Sequence, residues 1–178
     1  MVGITEQVAM SGAGSLLTFG LFACYKHLRK TKVVGCLIAK GKTYAERNLT
    51  EHEHLLFYDI DGALSVEPLH KLEKAHLRLE VYPQAAKKLA EFVENHKTKK
   101  IVVMSSDYDL LKHLGLKNKT LAFIPTQSFI DGHFNADEKP QLERLYYQYQ
   151  LEMNKKKQKV FDTYDTLTRR LYRSLAKL

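Results

Sequence analysis

Cysteine is scarce in this chain, with two in 178 residues, Cys24 and Cys36. Two thiols cannot build a disulfide framework, and the absence of any CxxC or Cys/His ligand spacing argues against a structural zinc site. Glycine and proline are missing altogether from Gln141 to Leu178, so nothing there punctuates a helix. Charged residues are missing from Val8 to Tyr25, and ahead of that run the sole charged side chain is Glu6. A secretory signal peptide carries positive charge at that place, so the run does not read as one. No zinc finger and no aromatic-and-basic RNA motif is present, which argues against nucleic acid as a partner.

What is present is an excess of base, a formal charge of +8 with a pI near 9.3. Much of it lies in three clusters, Lys26 to Lys32, Lys97 to Lys100 and Lys155 to Lys159. Such a balance suits contact with anionic lipid, nucleic acid or acidic partners, and reports on association rather than fold. The uncharged run is close to the ~20 apolar residues that span a bilayer. With the basic cluster directly after it, it predicts a single N-terminal transmembrane helix whose soluble domain stays on the cytoplasmic or matrix side. Ala9/Ala13 and Ser11/Ser15 have the small-xxx-small spacing with which membrane helices pack. Other membrane-protein subunits and membrane lipid are therefore the expected partners.

The stretch richest in chemistry is Leu55-Leu56-Phe57-Tyr58-Asp59-Ile60-Asp61-Gly62. Alternate residues of a strand point the same way, so Asp59 and Asp61 would project together from its tip, where Gly62 permits a sharp turn. Two carboxylates so placed suit Mg²⁺ and phosphoryl transfer, one attacking phosphorus and the other trading a proton with the leaving group. An ordinary strand followed by an Asp-Gly turn is the simpler alternative.

Elsewhere, Val33 to Ala39 is a short apolar run followed by Lys40-Gly41-Lys42-Thr43. A phosphate-binding P-loop places four residues between its first glycine and Gly-Lys, so that backbone N–H groups curl around the phosphate. Gly35 and Gly41 are separated by five, and an apolar strand fits that content better. Leu69, Leu72, His76 and Leu79 predict a short amphipathic helix over Pro68 to Glu80, and Pro83 opens a longer one. Ile101 to Met104 is a buried strand ending in Ser105-Ser106-Asp107. The carboxyl end of such a strand is where an α/β sheet gathers ligand-binding groups, although both serines also suit the cap of the next helix. Phe129 to Phe134 reads as a hairpin around Asp131-Gly132. From Gln141 onward, apolar residues recur every three or four positions, predicting one long helix or two with a break near Asn154 to Lys159.

The apolar strand ending in Asp59-Ile60-Asp61-Gly62-Ala63 resembles the first motif of the haloacid dehalogenase superfamily, with alanine in place of the usual threonine. The chain between Gly62 and Pro83 is too short for a cap domain, so the resemblance is to the capless branch. That branch includes phosphatases of the RNA polymerase tail and the similar receptor subunit of the mitochondrial presequence translocase. The resemblance implies a Rossmann-like sheet, with Asp59 as nucleophile and Asp61 as acid/base. Ser105, with Ser106 close behind, and Lys139 would hold the phosphate. Asp162 and Asp165 would complete a Mg²⁺ site with Asp59 and Asp61.

The expected fold is thus a small Rossmann-like parallel α/β sheet flanked by helices, with an N-terminal transmembrane helix and a long C-terminal helix. The expected division is 1–32 for tail, membrane helix and basic flank, 33–140 for the α/β domain, and 141–178 for an amphipathic helical segment. Only Val160 and Phe161 are apolar immediately before Asp162, too few for a buried strand, and a helix there would cost the metal site a carboxylate. The leading expectation is therefore a membrane-anchored, non-catalytic accessory or scaffold subunit of a membrane protein complex, with the mitochondrial inner membrane as its location. It would dock through its two terminal helices. The alternative is an active Mg²⁺-dependent phosphohydrolase working through an aspartyl-phosphate.

Overall fold

The computed structural model describes residues 33–49, 55–65, 72–96 and 99–175. The expected membrane span and its basic flank lie outside these residues. Among the described residues no helix is long and apolar enough to cross a membrane.

Five strands, β1 (Val33–Leu37), β2 (Leu55–Asp59), β3 (Lys100–Ser105), β4 (Thr120–Pro125) and β5 (Gln158–Phe161), form one sheet in the order β2-β3-β1-β4-β5. Every pairing is parallel. Strands covered on both faces read as continuous apolar runs, and β1 and β3 do: Val-Val-Gly-Cys-Leu is buried throughout, and in β3 Ile101 to Ser105 is. Gly35 is required in β1 because a Cβ there would meet Thr120 Oγ1 of β4 at 2.4 Å.

The helices are α1 (Lys42–Leu49), α2 (Ile60–Leu64), α3 (Tyr82–Asn95), α4 (Tyr108–His113), α5 (Gln127–His133), α6 (Lys139–Glu152) and α7 (Tyr164–Leu175). Alternation along the strands divides the core. Val33, Leu37, Ile101, Val103 and Ile124 face a cluster with α3, α4 and α6, while Val34, Cys36, Val102, Met104 and Phe123 face a second with α1 and α7. On α7, Leu167, Leu171 and Leu175 are fully buried at helical spacing and clamp that face.

Three sequence expectations are corrected. The described residues after Gln141 are not helical throughout: α6 ends at Glu152, and at the break expected near Asn154 to Lys159 the Asn154 side chain caps a 3₁₀ turn at Lys155–Lys157 and the chain enters the sheet as β5 before α7. As an edge strand, β5 buries only Phe161 completely, so it carries little of the apolar signature of an inner strand. The hairpin at Phe129 to Phe134 is helix α5, whose first turn Thr126 caps by accepting from the Phe129 N–H at 3.3 Å. The helix expected from Pro68 begins in the described residues at Lys74–His76 and runs through a π-helical stretch, Leu77–Val81, directly into α3.

Candidate functional site

The carboxyl ends of β1, β2 and β3 lie side by side, and each contributes polar groups. Strand β2 delivers Asp59, whose side chain caps the short helix α2 by accepting from the Gly62 N–H at 3.3 Å. One residue further, Asp61 turns toward β3. Its Oδ1 accepts from the Ser105 hydroxyl and its Oδ2 from both the N–H and the hydroxyl of Ser106, each at 2.7 Å. The fourth donor comes from beyond β1. Gly41, at φ +97°, turns the chain out of the strand into α1, where Lys42 is the first residue and places Nζ 2.6 Å from Asp61 Oδ2 and 3.9 Å from Asp59 Oδ1.

The two carboxylates differ in their surroundings. Asp61 accepts from four donors, three of them converging on Oδ2 and one on Oδ1. Asp59 has fewer donors, and burial raises its carboxyl above the ordinary range, opposed by the charge of Lys42 and reinforced by that of Asp61. Behind them, Asp107 caps α4 by accepting from the N–H groups of Asp109 and Leu110, and takes a further bond from the Tyr82 hydroxyl at 2.6 Å. Burial raises Asp107 as well. The Tyr149 hydroxyl, from α6, donates to the Ser106 carbonyl. A cavity of about 130 Å³ opens beside Ser106 and Asp107, walled by Leu77, Tyr82, Leu145 and Tyr149.

Of the residues that sequence reasoning singled out, Asp59, Asp61, Ser105 and Ser106 come together. Lys139, at the start of α6, pairs instead with Asp131 at 3.3 Å. Asp162 directly follows β5, at the sheet edge opposite β2. Four strand spacings, roughly 19 Å, separate their ends. There Asp162 accepts from the Thr166 hydroxyl, and Asp165 accepts from the Tyr44 hydroxyl at 2.9 Å. An aspartyl-phosphate site assembled from Asp59, Asp162 and Lys139 does not form in this arrangement.

The residue missed was Lys42. Its signal was Gly41-Lys42-Thr43, set aside because the spacing was counted from Gly35. That glycine lies inside β1, packed on Thr120. Counted from Cys36, four residues precede Gly41, with a buried cysteine standing where a P-loop has its first glycine.

No protein-family model matches the chain, and no curated protein or solved structure matches it significantly.

Among the described residues no group of three or more His, Cys, Asp or Glu side chains is placed to hold a metal ion. Mg²⁺, however, is commonly held by one or two carboxylates together with the phosphates of a substrate. Asp61, once Lys42 has exchanged it for phosphate, and the exposed Thr43 on the first turn of α1 would fit that donor set. Mg²⁺ bound there would offset phosphate charge.

Proposed function

We propose that this domain binds a nucleoside polyphosphate at the junction of β1 and α1 and transfers a phosphoryl group to an acceptor seated in the neighbouring cavity. The observation that carries this reading is the placement of Lys42. A lysine on the first turn of the helix that directly follows the central strand is where P-loop proteins hold a phosphate, with backbone N–H groups and the helix dipole assisting. In open α/β sheets the ligand crevice lies outside the carboxyl ends of the strands, where successive connections leave toward opposite edges. The chain passes from β1 to the β2 edge and later from β3 across to β4, so β1 is that point.

Under this reading Lys42 exchanges Asp61 for phosphate oxygens, and Asp61 stays in place on Ser105 and Ser106. Asp59, as the carboxylate and made more basic by its burial, accepts the acceptor hydroxyl's proton as the oxygen–phosphorus bond forms and the nucleoside diphosphate leaves. The test is calorimetric titration of the full chain with Mg·ATP. Saturable binding that Lys42→Met weakens at least about tenfold, the worth of one charge-assisted contact, is the expected result. No binding by the wild type at millimolar Mg·ATP sinks the proposal.

A second reading, the non-catalytic subunit of a membrane complex, is favoured by the four donors that converge on Asp61, which is how a purely structural carboxylate is held. It calls for a chain that stays in the membrane through carbonate extraction and shows neither Mg·ATP binding nor turnover. Release by carbonate alone counts against it.

A further inference from the structure

All five strands run the same way, so their amino ends share one end of the sheet, opposite the end that carries Lys42, Asp59 and Asp61. Basic residues gather at that amino end from segments far apart in sequence. Lys99 and Lys100 lead into β3, a 3₁₀ turn at Lys117–Lys119 leads into β4, and the 3₁₀ turn at Lys155–Lys157 leads into β5. The two turns touch, since Lys157 Nζ donates to the Asn118 carbonyl at 2.8 Å. Lys159 folds back from β5 to the Lys156 carbonyl at 3.1 Å, and Lys100 reaches the Leu175 carbonyl at the end of α7 at 2.6 Å.

Bonds to carbonyls satisfy these donors without cancelling their charge. Neither Leu114–Thr120 nor Met153–Val160 contains a carboxylate, and among the described residues none of Lys117, Lys119, Lys155, Lys156, Lys157 and Lys159 forms an ion pair. Lys117, Lys119, Lys155 and Lys156 are fully open to solvent. Helices α4 and α6 end ahead of the two turns, but a helix carboxyl end supplies only about half an elementary charge, too little to offset them.

The sequence ahead of β1 indicates what this surface meets. Val33 opens the strand, so residues 1–32 enter the fold at this same end, and they include the uncharged run Val8 to Tyr25. We propose that the amino end of the sheet is a membrane-facing surface, with Lys117, Lys119 and Lys155–Lys157 lying against the phosphates of anionic lipids. The length of a strand then holds the Lys42 site about 17–20 Å further from the lipid, turned to the water. This orientation does not depend on what that site binds. A bilayer is favoured over nucleic acid because a nucleic acid has no use for an uncharged run leading into the same face.

The test is lysine acylation, read by mass spectrometry, on the full chain reconstituted into vesicles of phosphatidylcholine alone and of phosphatidylcholine with phosphatidylserine. A lysine close to an anionic leaflet gains about fivefold in association, so Lys117, Lys119, Lys155 and Lys156 should label about fivefold more slowly in the anionic vesicles, relative to the exposed Lys87 of α3. High salt should erase the difference by screening. Combining Lys119→Gln, Lys155→Gln and Lys156→Gln should return Lys117 to the labelling it shows on neutral lipid. Equal labelling in the two vesicles overturns the proposal, as does a chain that neither vesicle retains, or protection of Lys117 that survives the triple substitution. Protection of the same lysines by a single-stranded oligonucleotide, with none from anionic vesicles, would assign the surface to nucleic acid and overturns it as well.

Discussion

Lys42 meets Asp61 across the end of the sheet at 2.6 Å, with both side chains 13% exposed. Removing one member of such a pair leaves the other short of a partner in a largely dry site. Asp61 keeps its three donors from Ser105 and Ser106, so Lys42→Met should lower stability by about 1–3 kcal/mol, below the loss for an isolated buried pair. Chemical denaturation measures it. A double-mutant cycle with Asp61→Asn should return a coupling of about 1–2 kcal/mol. A coupling near zero would mean that the two groups do not interact in solution.

Gly41 and Gly132 should respond to alanine in opposite ways. At Gly41 φ is +97° and a Cβ would meet Leu167 Cδ2 at 2.8 Å, so Gly41→Ala should cost about 1–3 kcal/mol. Gly132 sits in α5 with no atom within 4 Å of a Cβ position. Gly132→Ala should stabilise by about 0.5–1 kcal/mol through helix propensity alone. Parallel melting curves decide both.

The raised carboxyl of Asp59 has a definite signature in pH. The folded chain holds this proton more tightly than the unfolded chain does, so its contribution to stability is fully present below the ordinary carboxylate range. It is lost as pH rises from about 4 through the raised value. Asp59→Asn mimics the protonated form. Its unfolding midpoint, relative to wild type, should therefore be most favourable at neutral pH and fall away toward pH 4. A difference that grows on acidification would contradict the assigned direction.

Leu171 tests whether the C-terminal region belongs to the domain. Its side chain is fully buried between α7 and the sheet, and Leu171→Ala should cost about 2–5 kcal/mol. Ending the chain after Glu152 should prevent cooperative unfolding altogether, because it strips β5 and α7 from one face of the core. A truncated chain that melts as sharply as the whole would restore an independent C-terminal segment.

The inner strands were legible in the sequence because burial on both faces leaves a continuous apolar run, as at Ile101 to Met104. Strand β5 was not, since an edge strand with Gln158 and Lys159 half-buried carries only half the pattern. The helical periodicity on either side of it is genuine in α6 and α7, and the break allowed for near Asn154 to Lys159 is where the chain enters β5. At the site, the pairing of Asp59 with Asp61 and of Ser105 with Ser106 followed from strand ends alone. Which lysine joins them did not, because that depends on strand order: β1 lies two places from β2, with β3 between, and nothing local announces it. The neighbourhood of Asp162 depends on the same order.

The central position of β1 also sets a schedule for synthesis. Val33 pairs with Ile101, and Gly35 pairs with both Val103 and Thr120, so β1, the first strand among the described residues, meets these partners only some seventy residues later. Until then Val33 to Ile38 is an unpaired β-branched apolar segment, the kind of sequence that recruits foreign strands. Nascent chains stalled before residue 100 should be captured by chaperones and cut readily by protease between β1 and β2, and chains stalled well beyond Phe161 should resist. The strand that organises the finished molecule is the one most exposed while it is being made.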